Sequence, residues 1–205
     1  MKYYQPTPLE QWVENLYRMH KITKSQQLNI DEVSSLMDIW VYQLDQGSQT
    51  IDNNGLYSIC IDRRLSKTEQ WEDFLHELCH VVRHSGNQIR MPTGFLDMQE
   101  NEAHLFLAYA AIPYFMLPER LPDTDHDILN YFVEHFGVSY ELADLRLDQI
   151  KRRRLRTMLD QVLRQQQEKV APKKEQSSET KRVLEQLERQ IRRKGMKKNE
   201  PLGLL

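Results

Sequence analysis

Two histidines four residues apart with a glutamate beside the first, His76-Glu77-Leu78-Cys79-His80, form the spacing HExxH. On a helix, positions i and i+4 stand one turn apart on one face, so both imidazoles can converge on a single ion. Zinc suits such a pair, because its tetrahedral shell accepts two imidazole nitrogens, a carboxylate and a water. Glu77 falls about 100° around the helix from His76, beside the ion rather than on it. There it can take a proton from a water whose pKa the metal lowers to roughly 7. A catalytic centre of this kind needs a third protein ligand. The run Gln99-Glu100-Asn101-Glu102-Ala103-His104 offers two carboxylates. Placed two residues apart they lie about 200° apart around a helix, so only one can face the ion. Glu100 is favoured, with His104 at i+4 as a neighbour able to orient it, and Glu102 is the alternate. His84 lies two turns from His76, too far to share the ion with both histidines, and reads as a polar residue closing its helix. A thiol mechanism at Cys79 lacks a base and an oxyanion context.

The elements around these residues can be read from periodicity and punctuation. Ser66 with Glu69 three residues on is a capping box. It opens a helix whose Trp71, Phe74, Leu75, Leu78 and Val82 form one apolar stripe, with His76 and His80 roughly opposite Leu78. Residues 85–97, with Gly86, Pro92 and Gly94, read as loop, and the next helix runs from about Gln99 to Ile112 before Pro113. Upstream, Leu9, Val13, Leu16 and Tyr17 predict a helix over 8–20, and a short one follows from Asp31 to Met37. Residues 39–44 and 55–61 are rich in β-branched and aromatic side chains, with a turn signal at Asp52-Asn53-Asn54-Gly55 between them. That pattern predicts an antiparallel meander of two or three strands. Further helices are expected at about 125–136, 140–168 and 179–194, the last after a polar linker.

Those residues carry a likeness. The HExxH run, followed by Glu100-Asn101-Glu102-Ala103-His104-Leu105-Phe106-Leu107 and a stop at Ile112-Pro113, resembles the ImmA/IrrE-type metallopeptidases over about residues 8–150. These are cytoplasmic gluzincin-like enzymes of bacteria, their phages and mobile elements, with the pattern HELGH and then E-x-E-A-N-x-F-A. The departures are Cys79 for Gly, His104 for Asn and Leu107 for Ala. The resemblance implies a zinc peptidase with His76, His80 and Glu100 as ligands and Glu77 as base, cleaving a helix-turn-helix repressor of a phage or mobile element. It also implies an α+β fold, with a small antiparallel sheet packed on a zincin-like metal-binding helix pair and a helical C-terminal extension. The expected divisions are a metallopeptidase domain over 1–120, a helix-turn-helix-like subdomain over 121–169, a linker over 170–178 and a basic helical tail over 179–205.

Charge distribution adds a second theme. Residues 1–150 carry 11 Lys and Arg against 23 Asp and Glu, whereas 151–205 carry 17 against 7. A basic tail on an acidic body points to a protein or DNA contact through the C-terminal helices, or to docking on its own body. No apolar run reaches the ~18–20 residues of a membrane span. The start Met1-Lys2-Tyr3-Tyr4-Gln5-Pro6 has no secretory h-region, and Cys60 and Cys79 make no disulfide framework, which together lead to the expectation of a cytoplasmic protein. A competing reading is a non-catalytic regulator whose zinc is structural, closed by a fourth ligand such as His104 or Glu102, and whose tail binds DNA or protein. Glu77 separates the two, because a closed site has no use for it.

Overall fold

The structure, a computed structural model, describes residues 3–53, 55–83, 93–170 and 178–193. Thr7 opens the first helix, α1 (Pro8–Met19), with a reciprocal capping box: its hydroxyl accepts from the Glu10 amide and the Glu10 carboxylate accepts from its own amide, both at 2.9 Å. A 3-10 turn (Ser25–Gln27) and α2 (Ile30–Met37) follow, and α2 ends on Asp38 in the left-handed region at φ 56°. Asp tolerates that conformation better than most residues. Three strands come next, β1 (Trp40–Leu44), β2 (Gln49–Asn53) and β3 (Leu56–Asp62). Then come α3 (Lys67–Arg83), α4 (Thr93–Ala111), a 3-10 turn (Tyr114–Met116), α5 (Asp125–Phe136), α6 (Tyr140–Val170) and α7 (Ser178–Arg193).

The fold is α+β, but the sheet is mixed rather than antiparallel. Its order is β1-β3-β2, with β2 antiparallel and β1 parallel to β3. The chain reverses after Leu44 and returns in β2 one strand-width away, and β3 enters the gap. β3 takes the centre because it carries the apolar run Ile59-Cys60-Ile61, all three fully or almost fully buried. β2 is polar along most of its length, and Asp52 and Asn53, expected as part of a turn, in fact end the strand. At the return into β3, Gly55 adopts φ 88°, a value that a side chain would oppose.

α3 lies against β3 and β2 and packs along α4. Its stripe buries Trp71, Phe74, Leu75 and Leu78, and each such side chain contributes about 1.5–3 kcal/mol on leaving water. The Ser66–Glu69 capping box forms as expected. α4 starts six residues earlier than the sequence reading had it, at Thr93, and Gly94 is absorbed in its first turn, where a glycine costs little. His84, Gly86 and Pro92 lie outside the described residues, as do residues 171–177 of the expected linker. Tyr17 of α1 donates to the Ala110 carbonyl of α4 at 3.0 Å, and Glu72 of α3 accepts from the Ser139 amide at the start of α6 at 2.6 Å.

The chain divides into two compact units, Met1–Leu159 and Asp160–Leu205. The first contains the sheet, α1 to α5 and the first part of α6. One apolar cluster unites them: Phe132, Phe136, Leu142, Leu147 and Ile150 join the cluster that holds Phe74 and Leu78. The second unit contains the rest of α6 and α7, whose Val183, Leu184, Leu187 and Ile191 are all exposed. Among the described residues no helix is long and apolar enough to cross a membrane.

Candidate metal centre

α3 and α4 together bring three ligand-type atoms to one point. Nε2 of His76 and Nε2 of His80 are 3.2 Å apart; Glu100 places one carboxylate oxygen 3.2 Å from the first and the other 3.5 Å from the second. His76 and His80 converge because they are one helical turn apart, and His80 is buried under the second helix. Glu100 closes the group from the solvent side, with its side chain 46% exposed. Among the described residues this is the one cluster of three or more such groups that could hold a metal ion.

The donor set passes a simple test of fit. A tetrahedral ion with bonds of ~2.0–2.1 Å has ligand atoms about 3.3 Å apart, and the three separations bracket that value. Two imidazoles and one carboxylate are also the donors of three-ligand catalytic sites, which keep a fourth position for water or substrate.

Glu102 goes elsewhere. Its carboxylate accepts from Nε of Arg83 at 2.7 Å, and the Arg83 guanidinium lies over the Trp12 ring, 4.7 Å from its centroid. The contact ties the last turn of α3 to α4 and α1. His104 stands against His76, with ring centroids 5.1 Å apart, rather than on Glu100. Cys79 is fully buried, and burial pushes its thiol up to about 12, with the Glu102 charge adding to the effect.

Glu77 faces the sheet. The Thr50 hydroxyl of β2 lies 2.9 Å from its Oε2 and 3.1 Å from its backbone oxygen. Burial raises the Glu77 pKa above the ordinary carboxylate value, while Thr50 and the neighbouring His76 pull against that rise. A carboxyl so placed, beside two ligand-type imidazoles, is suited to taking up and returning a proton. Sequence reasoning missed Thr50, which contacts Glu77 from β2, the neighbouring Ser48–Asp73 pair, and Arg83 as the partner of Glu102. Nothing in a Thr inside a polar run marks it as a neighbour of the motif.

Peptidase family M78, described as the IrrE N-terminal-like domain, matches residues 35–148, which include all three strands, α3 and α4. The chain is 40% identical over 147 residues to the phage-like element PBSX protein XkdA of Bacillus subtilis (strain 168), an overlap of 71% of this chain and 74% of that protein. It is 35% identical over 145 residues to the uncharacterized protein YqaB of the same organism, covering 70% and 84%. No solved structure matches it.

Proposed function

The chain belongs to the IrrE N-terminal-like family of peptidases, and we propose that it is a zinc-dependent endopeptidase that cleaves a regulatory protein, a helix-turn-helix repressor of a phage or mobile element. The observation that carries this reading is the convergence of His76, His80 and Glu100 beside the half-buried carboxyl of Glu77. The naming of one relative for a phage-like element supports the choice of substrate, and such a repressor would be met in the cytoplasm.

His76, His80 and Glu100 would hold the metal, which when bound supplies Lewis acidity to the water and the scissile carbonyl. Glu77 takes the proton of the attacking water and delivers it to the departing amine nitrogen, so one carboxyl acts first as base and then as acid. Its partial burial favours this double duty, because desolvation disfavours the charged form and so favours uptake of that proton. β2 lies at the edge of the sheet next to Glu77, where an extended substrate can add as a further strand. The basic residues 151–205 would meet the partner, protein or DNA.

Purified protein should contain about one zinc per chain and lose it in His80→Ala. Incubated with repressor proteins of its host's phage elements, the wild type should cut one of them. Glu77→Gln should keep its zinc and cut at least ~100-fold more slowly, the usual range for losing a positioned acid–base group. Protein that takes up no zinc, or a Glu77→Gln variant that cuts as fast as wild type, would overturn the reading.

A further inference from the structure

β2 is attached to α3 by two hydroxyl–carboxylate pairs that run in step. Ser48, just ahead of β2, donates to Asp73, and Thr50 lies 2.9 Å from Oε2 of Glu77. Two strand residues span about 6.6–6.8 Å and four helical residues about 6.0 Å, so the two repeats stay in phase over this interval. The Ser48 hydroxyl also accepts from the Asp62 amide of β3 at 3.1 Å, which fixes it from a second side. Thr50 is paired with Ile59, which has no exposed surface, so β2 cannot slide without disturbing the core.

The same Thr50 hydroxyl is 3.1 Å from the Glu77 backbone oxygen. A hydroxyl has one proton to donate and two lone pairs to accept with. The one hydroxyl thus touches both the backbone oxygen and the carboxylate of Glu77, so the carboxyl cannot rotate away without giving up a contact.

We infer that Thr50 is a positioning residue whose hydroxyl, held in register by Ser48 and Asp73, keeps the Glu77 carboxyl in one orientation beside the candidate centre. This rests on the reading of Glu77 as the proton carrier given above. An edge strand therefore does more than flank the cleft: it orients the group that moves the proton.

The test needs no knowledge of the substrate. Acetohydroxamic acid chelates a metal through two oxygens and gives its hydroxyl proton to a neighbouring carboxylate as it binds. Its affinity for the zinc-loaded protein is measured by calorimetry in wild type, Thr50→Val, Thr50→Ser, Glu77→Gln and the Thr50→Val/Glu77→Gln double variant. Zinc affinity is measured alongside by competition with a fluorescent chelator. Thr50→Val should bind the hydroxamate at least tenfold more weakly with zinc affinity unchanged, and Thr50→Ser should bind within about threefold of wild type. In the Glu77→Gln background Thr50→Val should have no further effect, because the two residues act as one unit. Wild-type hydroxamate affinity in Thr50→Val beside a weakened Glu77→Gln would overturn the proposal, as would an undiminished Thr50→Val effect in the double variant. A wild type that takes up no zinc, or a Glu77→Gln variant with wild-type hydroxamate affinity, would instead sink the reading of the site, and this proposal with it. Should far-UV circular dichroism show Thr50→Val unfolded, Thr50→Ala takes its place in the same cycle.

Discussion

Glu100 and Glu102 lie two residues apart on α4, and the rotation between them sends one carboxylate to the histidines and the other to Arg83. Glu100→Ala should therefore abolish zinc uptake. Glu102→Ala should keep it and cost about 1 kcal/mol or less, since ion pairs partly open to solvent contribute little. Elemental analysis and a denaturation curve on the two variants check this, and the reverse pattern would exchange their roles. Cys60 and Cys79 are free but almost wholly enclosed. Native protein should react with a thiol-specific chromogenic disulfide at neither residue within minutes, and at both once unfolded; one fast native thiol would contradict the burial. The HExxH part of the site was legible in the sequence because helical spacing alone places His76 beside His80. Which of two nearby carboxylates completes the group was legible only as a preference, since the deciding contact is with Arg83, 19 residues away. Thr50 was not legible at all, because its neighbour is set by strand pairing and not by any local repeat.

At the scale of elements, the helices were readable from caps and stripes and β1 and β3 from their β-branched and aromatic runs, whereas β2 and the order of the strands were not. A polar edge strand such as β2 has the composition of a turn, and no pattern along the chain says that β3 will enter between β1 and β2. The junction of α1 with α6 was equally hidden. Arg146 of α6 is 1% exposed, donates to Glu10 of α1 at 2.7 Å and to the Ile112 carbonyl at 3.1 Å, and lies over the Tyr109 ring. Sequence separation of 136 residues leaves no local trace of that pair. Removing one partner strands a buried charge, so Arg146→Ala should cost about 3–5 kcal/mol, read from chemical denaturation. For Glu10, burial alone would raise the pKa, but Arg146, the Tyr4 hydroxyl and the Thr7 amide outweigh it and hold the carboxyl below its ordinary value of 4.5. A depressed folded-state pKa means that this stabilisation is complete above the unfolded value and is lost as pH falls through the folded one. The melting temperature should thus fall on acidification below about pH 4.5, with a shallower fall in Glu10→Gln over the same window. An identical slope in both proteins would show that Glu10 does not carry the acid response.

At the scale of the whole molecule, the question is which part of the chain the centre depends on. Every member of the apolar cluster lies at or before Ile150, and all residues of the candidate centre lie in the first unit. The apolar residues Val183, Leu184, Leu187 and Ile191 of α7 are exposed. The charge division follows a similar boundary, with the excess of basic residues after position 150 and the acidic excess before it. Ending the chain at Val170 should therefore shift the melting temperature by less than about 2 °C, under about 1 kcal/mol for a protein of this size, and leave zinc content unchanged. What the truncation should alter is partner capture. Contacts made by a basic segment weaken as salt screens them, so cleavage of the cognate repressor by the full chain should slow with added salt through a rising KM. The truncated chain should show a high KM even at low salt, a much smaller salt dependence, and the same kcat. If truncation lowers kcat at unchanged KM, the basic segment supports the centre itself and not the choice of partner.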